Sequence, residues 1–158
     1  MRVLILAVGA PRNRALAAAI REYETRAGRY FSLEAIEVPA ARTGRAAPPE
    51  LVRRKEAEDL RQRLPADLRS IALTREGRPF TSRDLAGRLS DLATYGGAGI
   101  AFLIGGAHGL DAALREACER RLSLSALTLP HDLARLVLAE QLYRAGTILR
   151  GEPYHKGR

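Results

Sequence analysis

Apolar residues along this chain gather in short dense runs separated by amphipathic stretches. Arg2 to Val8 is almost wholly aliphatic and ends at Gly9, the pattern of a strand buried on both faces. Leu16, Ile20 and Tyr23 then recur at helical spacing, which predicts a helix over Asn13–Ala27 stopped by Gly28. Phe31–Val38 reads as a second strand, closed by Pro39. Residues 40–49 hold Arg42, Gly44, Arg45 and two prolines and read as a basic loop. Glu50–Leu64 is a strongly charged helix with Leu51, Ala57, Leu60 and Leu64 facing inward. A short strand over Arg69–Leu73 and a polar turn region over Thr74–Phe80, with Gly77 and Pro79, follow.

Ser82 is the expected N-cap of a helix over Arg83–Tyr95. Gly96, Gly97 and Gly99 end that helix and lead into an apolar strand, Ile100–Ile104. A glycine loop, Gly105-Gly106-Ala107-His108-Gly109, comes next, then a helix over Asp111–Arg121. Leucine and serine alternate after Leu122, which predicts a last strand over Ser123–Leu129 closed by Pro130-His131. Asp132–Leu149 is the last helix. Strands alternating with helices throughout predict an α/β fold, one domain over residues 1–158 with a mostly parallel sheet and helices on both faces.

The last helix carries more apolar residues than one buried stripe needs. Leu133, Leu136, Val137, Leu142, Ile148 and Leu149, with Ala134, Leu138, Ala139 and Ala145, wrap more than one of its faces. Either it is central to its own fold or its second face meets a second subunit.

Composition narrows the class. The chain has 158 residues, 46% hydrophobic and 28% charged, as in an ordinary globular domain. No apolar run approaches the roughly 20 residues of a membrane-spanning helix, and the apolar start is too short for a secretory signal. Cys118 is the single cysteine, which excludes an internal disulfide and fits a reducing cytoplasm. The net charge of +8 points to an anionic partner, nucleic acid first. Only Lys55 and Lys156 are lysines, so nearly all of that charge is arginine. Arginine-rich, alanine-rich composition also arises from base composition alone.

Several motifs are absent. There is no G-x-G-x-x-G after the first strand, no P-loop and no G-x-S-x-G elbow. His108, His131 and His155 lack zinc-ligand spacing, so no metal is expected. What remains is two loops of small residues at strand ends and a tail, Tyr154-His155-Lys156.

These residues resemble a known family. Phe102 through Gly109, Leu122–His131, Glu140-Gln141-Leu142-Tyr143-Arg144-Ala145 and Gly151-Glu152-Pro153-Tyr154-His155-Lys156 closely resemble RlmH, the SPOUT-class pseudouridine N3-methyltransferases of bacterial 23S rRNA. Leu4–Gly9 and Ile36-Glu37-Val38-Pro39 look like the same family, so the resemblance runs the length of the chain. Ala107-His108 and Thr74 depart from what many members carry.

The resemblance implies a C-terminal trefoil knot, a homodimer, S-adenosylmethionine as methyl donor and 23S rRNA of the assembled ribosome as substrate. It implies cofactor contacts from Leu73, Gly105 and the run Leu124, Ser125, Ala126, Leu127, Thr128 and Leu129. Backbone groups there can read the edge of an adenine while leucines cover its face. His155 is the candidate general base for the N3 proton, since free imidazole titrates near neutral pH. Arg135, Arg144 and Lys156 are candidates to hold phosphate or to stabilise negative charge on the base. Tyr154 could stack on a splayed base, and the tail would complete the partner's site. Two rival readings stay open: a non-enzymatic ribosome-binding factor on the same fold, and a SPOUT enzyme that methylates a ribose 2′-hydroxyl.

Overall fold

The computed structural model describes residues 1–42, 44 and 47–156, with the backbone alone for His155 and Lys156. The expected basic loop at 40–49 therefore lies partly outside the described residues, as do the His155 and Lys156 side chains. Five parallel strands form one sheet in the order β2-β1-β4-β3-β5. They are β1 (Arg2–Val8), β2 (Ser32–Val38), β3 (Arg69–Pro79), β4 (Gly99–Ile104) and β5 (Arg120–Ser123).

β4 is the middle strand and is buried along its whole length, as its unbroken apolar run demands. Side chains of β1 alternate between two cores, as a period of two requires. Val3, Ile5 and Ala7 face α1 (Arg14–Ala27), α3 (Ser82–Thr94) and α5 (His131–Leu149), together with Phe102, Leu89, Leu138 and Leu142. Leu4, Leu6 and Val8 face α2 (Pro49–Arg63) and α4 (Ala112–Ala117), through Leu60 and Leu114, in a core shared with Leu103 of β4. Full burial of each such side chain contributes about 1.5–3 kcal/mol. α5 packs against both α1 and α3, so much of its apolar surface is used inside its own fold. Leu133 and Leu149 stay partly exposed.

Several element limits differ from the sequence reading. The N-cap of α3 is Thr81, not Ser82. Its hydroxyl accepts from the Asp84 amide at 3.1 Å while Asp84 accepts from the Thr81 amide at 2.8 Å. That reciprocal box satisfies two otherwise orphaned donors, which a lone Ser82 would not. Residues 74–79 are not a turn but the second half of β3, whose register shifts so that Leu122 pairs with both Leu73 and Arg78. Gly77 permits this, because a Cβ there would lie 2.5 Å from the Leu122 carbonyl carbon. α4 stops at Ala117, since Cys118 is extended. β5 ends at Ser123, so Leu124–Leu129 is a loop rather than a strand. In α2 the inward residue is Val52; Leu51 is exposed.

Candidate functional site

The carboxyl ends of β3, β4 and β5 open into one cleft of about 870 Å³. Open parallel sheets bind ligands at this end, where backbone groups are left without strand partners. Two loops form most of the cleft wall.

The first is the glycine loop after β4. It closes on itself through an amide of Gly109 that donates to the Gly106 carbonyl at 3.0 Å. Gly109 has φ +76°, a conformation that favours glycine. A Cβ on Gly105 would lie 2.4 Å from the Gly109 carbonyl carbon, so only glycine fits.

The second loop follows β5. The Ser123 hydroxyl donates to the Ser125 carbonyl at 2.9 Å, and the Leu127 amide donates to the Ser125 hydroxyl at 2.9 Å. These local bonds hold the backbone away from the sheet ladder. Leu127 is left 75% exposed. The loop ends at Pro130, and α5 begins at His131, whose Nε2 lies 3.1 Å from Asp132.

Seven of the eight residues expected to contact a cofactor line this one cleft: Leu73, Gly105, Leu124, Ser125, Leu127, Thr128 and Leu129. Ala126 belongs to the same loop but is not on the wall. The wall also carries residues the sequence reading did not select. Arg53 comes from α2, Arg75 from β3 and Arg115 from α4. Arg75 donates to Thr128 at 3.4 Å, and Arg115 pairs with Glu76 at 2.7 Å. No local pattern distinguishes these arginines from the many others in the chain. His131 carried the one usable signal, the Pro-His step that opens a helix.

The residues expected to act on the substrate lie elsewhere in the chain. Arg135 is buried and donates to Glu24 at 2.8 Å and to Glu37 at 2.6 Å, joining α5 to α1 and β2. Burial opposes its charge, but the two carboxylates outweigh that and hold its pKa above the ordinary value. Arg144 pairs with Glu140 at 2.5 Å and lies 4.8 Å over the Tyr154 ring. Tyr154 sits in a 3₁₀ turn, Pro153–Lys156, that folds back on α5. Its ring is 4.6 Å from that of Tyr143. Burial, then hydrogen bonding toward Tyr23 and Glu140, raises the Tyr154 pKa well above the usual phenol range. Among the described residues, no group of three or more His, Cys, Asp or Glu could hold a metal ion. No helix among them is long and apolar enough to cross a membrane.

A family model described as "Predicted SPOUT methyltransferase" matches residues 1–155. Proteins named Ribosomal RNA large subunit methyltransferase H, from Gemmatimonas aurantiaca and Anaeromyxobacter, are 51% and 49% identical to this chain. Both alignments cover 99% of the chain and 100% of the relative. The chain belongs to the RlmH family of SPOUT methyltransferases. The fold of this SPOUT methyltransferase also recurs in solved structures. A probable methyltransferase from Bordetella pertussis has TM-score 0.54 at 23% identity, over 90% of this chain and 95% of that one. A probable methylase family protein from Haemophilus influenzae has TM-score 0.56 at 13% identity, over 94% of this chain and 66% of that one. As a family member, the enzyme transfers a methyl group from a donor.

Proposed function

We propose that this enzyme methylates N3 of a pseudouridine in 23S rRNA of the assembled ribosome, with S-adenosylmethionine as donor. Full-length likeness to relatives named for large-subunit rRNA methylation carries the reading. The cleft supports the cofactor half. Its volume is in the range that holds a nucleotide-sized ligand. Its wall combines two tightly turned backbone loops with leucine side chains, a donor set suited to a flat heterocycle with polar edges. Leu73, Gly105 and the loop Leu124–Leu129 would hold the cofactor, which supplies an already activated methyl group.

The protein's own work is then alignment and deprotonation. Glycines 105 and 109 keep the loop backbone close to the cleft. Ser125 fixes the opposing loop through its bond to the Leu127 amide. His155 would take the N3 proton, with Lys156 and Arg144 stabilising negative charge and Tyr154 stacking on the base, while Arg135, buried between Glu24 and Glu37, would position α5.

In the described chain, Arg135, Arg144 and Tyr154 do not line the cleft of their own subunit. A homodimer that brings one subunit's tail to the partner's cleft is therefore part of this reading. Exposed Leu127, Leu133 and Leu149 support such a contact. A knot in the C-terminal segment also belongs to it, supported by the return of α5 from the sheet edge to pack against β4. So does a cytoplasmic location, where ribosomes are found.

The test is methyl transfer from labelled S-adenosylmethionine to ribosomes from cells lacking this gene, beside naked 23S rRNA, with the product mapped by mass spectrometry. N3-methylated pseudouridine in assembled ribosomes is the expected result. A product on a ribose hydroxyl, or ribosome binding without transfer, would overturn it. His155→Ala is expected to lose transfer while keeping cofactor affinity; full activity in that variant removes His155 from the mechanism.

A further inference from the structure

Glu119 sits at the start of β5 in contact with three arginines. Arg88 pairs with it, Arg69 lies at 3.3 Å and Arg120 at 3.9 Å. One carboxylate cannot neutralise three guanidinium groups, so this cluster keeps an excess of two positive charges. Two further pairs flank it, Arg121 with Glu116 at 3.0 Å and Arg115 with Glu76 at 2.7 Å. Together five arginines meet three carboxylates, and each of those carboxylates is already engaged.

Arg115, Arg120 and Arg121 line a hollow of about 450 Å³ whose other side is formed by Glu76, Gly77, Arg78 and Phe80; Arg69 and Arg88 stand outside it, behind Glu119. Glu76 and Arg115 line both this hollow and the cleft, so the two adjoin across that ion pair. Two donors are left over. The Nε atoms of Arg88 and Arg115 are buried without a hydrogen-bond partner among the described residues. A buried guanidinium N–H without an acceptor is costly unless something supplies one. Those two Nε atoms are closed off from solvent, so the receptor for phosphate oxygens is the excess positive charge and the half-exposed guanidinium forks of Arg120 and Arg121.

We propose that the β5 edge, centred on Arg115, Arg120 and Arg121, binds the phosphodiester backbone of the RNA strand next to the nucleotide that enters the cleft. This rests on the reading that the substrate is RNA. Phosphate contacts of this kind fix register and orientation and carry no sequence information. The surface would therefore set how the enzyme sits on its substrate, while the cleft and tail select the base. An acidic protein segment would be drawn to the same charge, but a position directly beside the cleft favours the substrate strand itself.

The experiment uses the full-length Arg120→Gln/Arg121→Gln variant, whose substituted side chains are about half exposed and lie outside the cleft. Arg54→Gln/Arg63→Gln on exposed α2 removes the same charge elsewhere. Affinity for ribosomes and for 23S rRNA is measured against salt concentration, with S-adenosylmethionine affinity as a second readout. Each lost single-strand phosphate contact lowers the salt slope by about 0.7. The β5 variant should therefore lose roughly 1.4 in slope, raise KM for the RNA, and keep kcat and cofactor affinity. The α2 variant should stay at wild type. Equal slopes in the β5 variant and wild type overturn the inference while leaving RNA methylation standing. Equal losses in both variants overturn it too, since general charge would then explain the binding. A wild-type enzyme that binds no RNA but does bind cofactor overturns the inference and the RNA reading together.

Discussion

The Tyr154 hydroxyl donates to Oε1 of Glu140 at 3.0 Å, and the same oxygen receives Arg144. One carboxylate on α5 thus anchors the turn that precedes His155. Tyr154→Phe should free that turn without unfolding the protein. A single hydrogen bond of this kind contributes about 0.5–1.5 kcal/mol. Amide hydrogen exchange over residues 151–156 is expected to quicken while the strands stay protected. Unchanged exchange would mean that ring packing on Tyr143 alone holds the turn.

Arg135 offers a harsher test. Replacing it with methionine leaves the largely buried Glu24 without its cation, while Glu37 stays open to water. Removing one partner of a fully buried ion pair costs about 3–5 kcal/mol. With one carboxylate hydrated, urea denaturation should show a loss below that range, and Glu24→Gln in the same chain should restore part of it. A variant as stable as wild type would show that water reaches Glu24 as well.

At Gly105 an added methyl group would collide with backbone rather than with a flexible side chain. Gly105→Ala is expected to distort the glycine loop and weaken S-adenosylmethionine binding at least tenfold, about 1.4 kcal/mol. Calorimetric titration measures it, with circular dichroism to confirm a retained fold. Wild-type affinity would place the cofactor away from this loop.

Gly87 lies exposed inside α3 with nothing within 4 Å of where its Cβ would stand. Glycine in a helix interior is less favourable than alanine by about 0.5–1 kcal/mol. Gly87→Ala should therefore raise stability by that amount and leave activity alone. A lower Tm would reveal a contact that this surface makes in an assembly.

The Tyr30 hydroxyl donates to Glu152 at 2.5 Å. That bond, with burial and the carboxylate's charge behind it, pushes the Tyr30 pKa from 10.0 up to about 12. The folded state keeps its proton where the unfolded chain has lost it. The stabilising effect is thus complete below pH 10 and disappears as pH rises toward 12. Chemical denaturation between those values should show a steeper alkaline loss for wild type than for Tyr30→Phe. Parallel curves would mean that the bond is no stronger than one to water.

Much of this fold was legible because burial writes itself into sequence. The aliphatic runs of β1 and β4 can only be central strands, and the glycine loop marks the end of one. The misreadings have local causes. Leucine and serine alternate after Leu122 as they would in a strand, yet the Ser123 and Ser125 hydroxyls bond nearby backbone groups and draw the chain off the ladder. Gly77 and Pro79 look like turn punctuation, but here glycine permits a close crossing of Leu122. The two loops of the cleft wall were legible because their residues are contiguous. Arg53, Arg75 and Arg115 were not, because tertiary structure alone selects them from an arginine-rich chain. Arg135 meets Glu24 across 111 positions, a pairing that no local pattern encodes.

The packing of α5 against both α1 and α3 has a consequence for how the chain is made. α1 leaves the ribosome well before α5, the helix that covers it. At about 5–20 residues per second, roughly 6–24 s pass between the end of α1 and the end of α5. Throughout that interval the apolar flank of α1 has no native cover from α5. A methyltransferase of this architecture completes its core only after α5 has left the exit tunnel, and its nascent chain is a natural client for whatever shields exposed helices there.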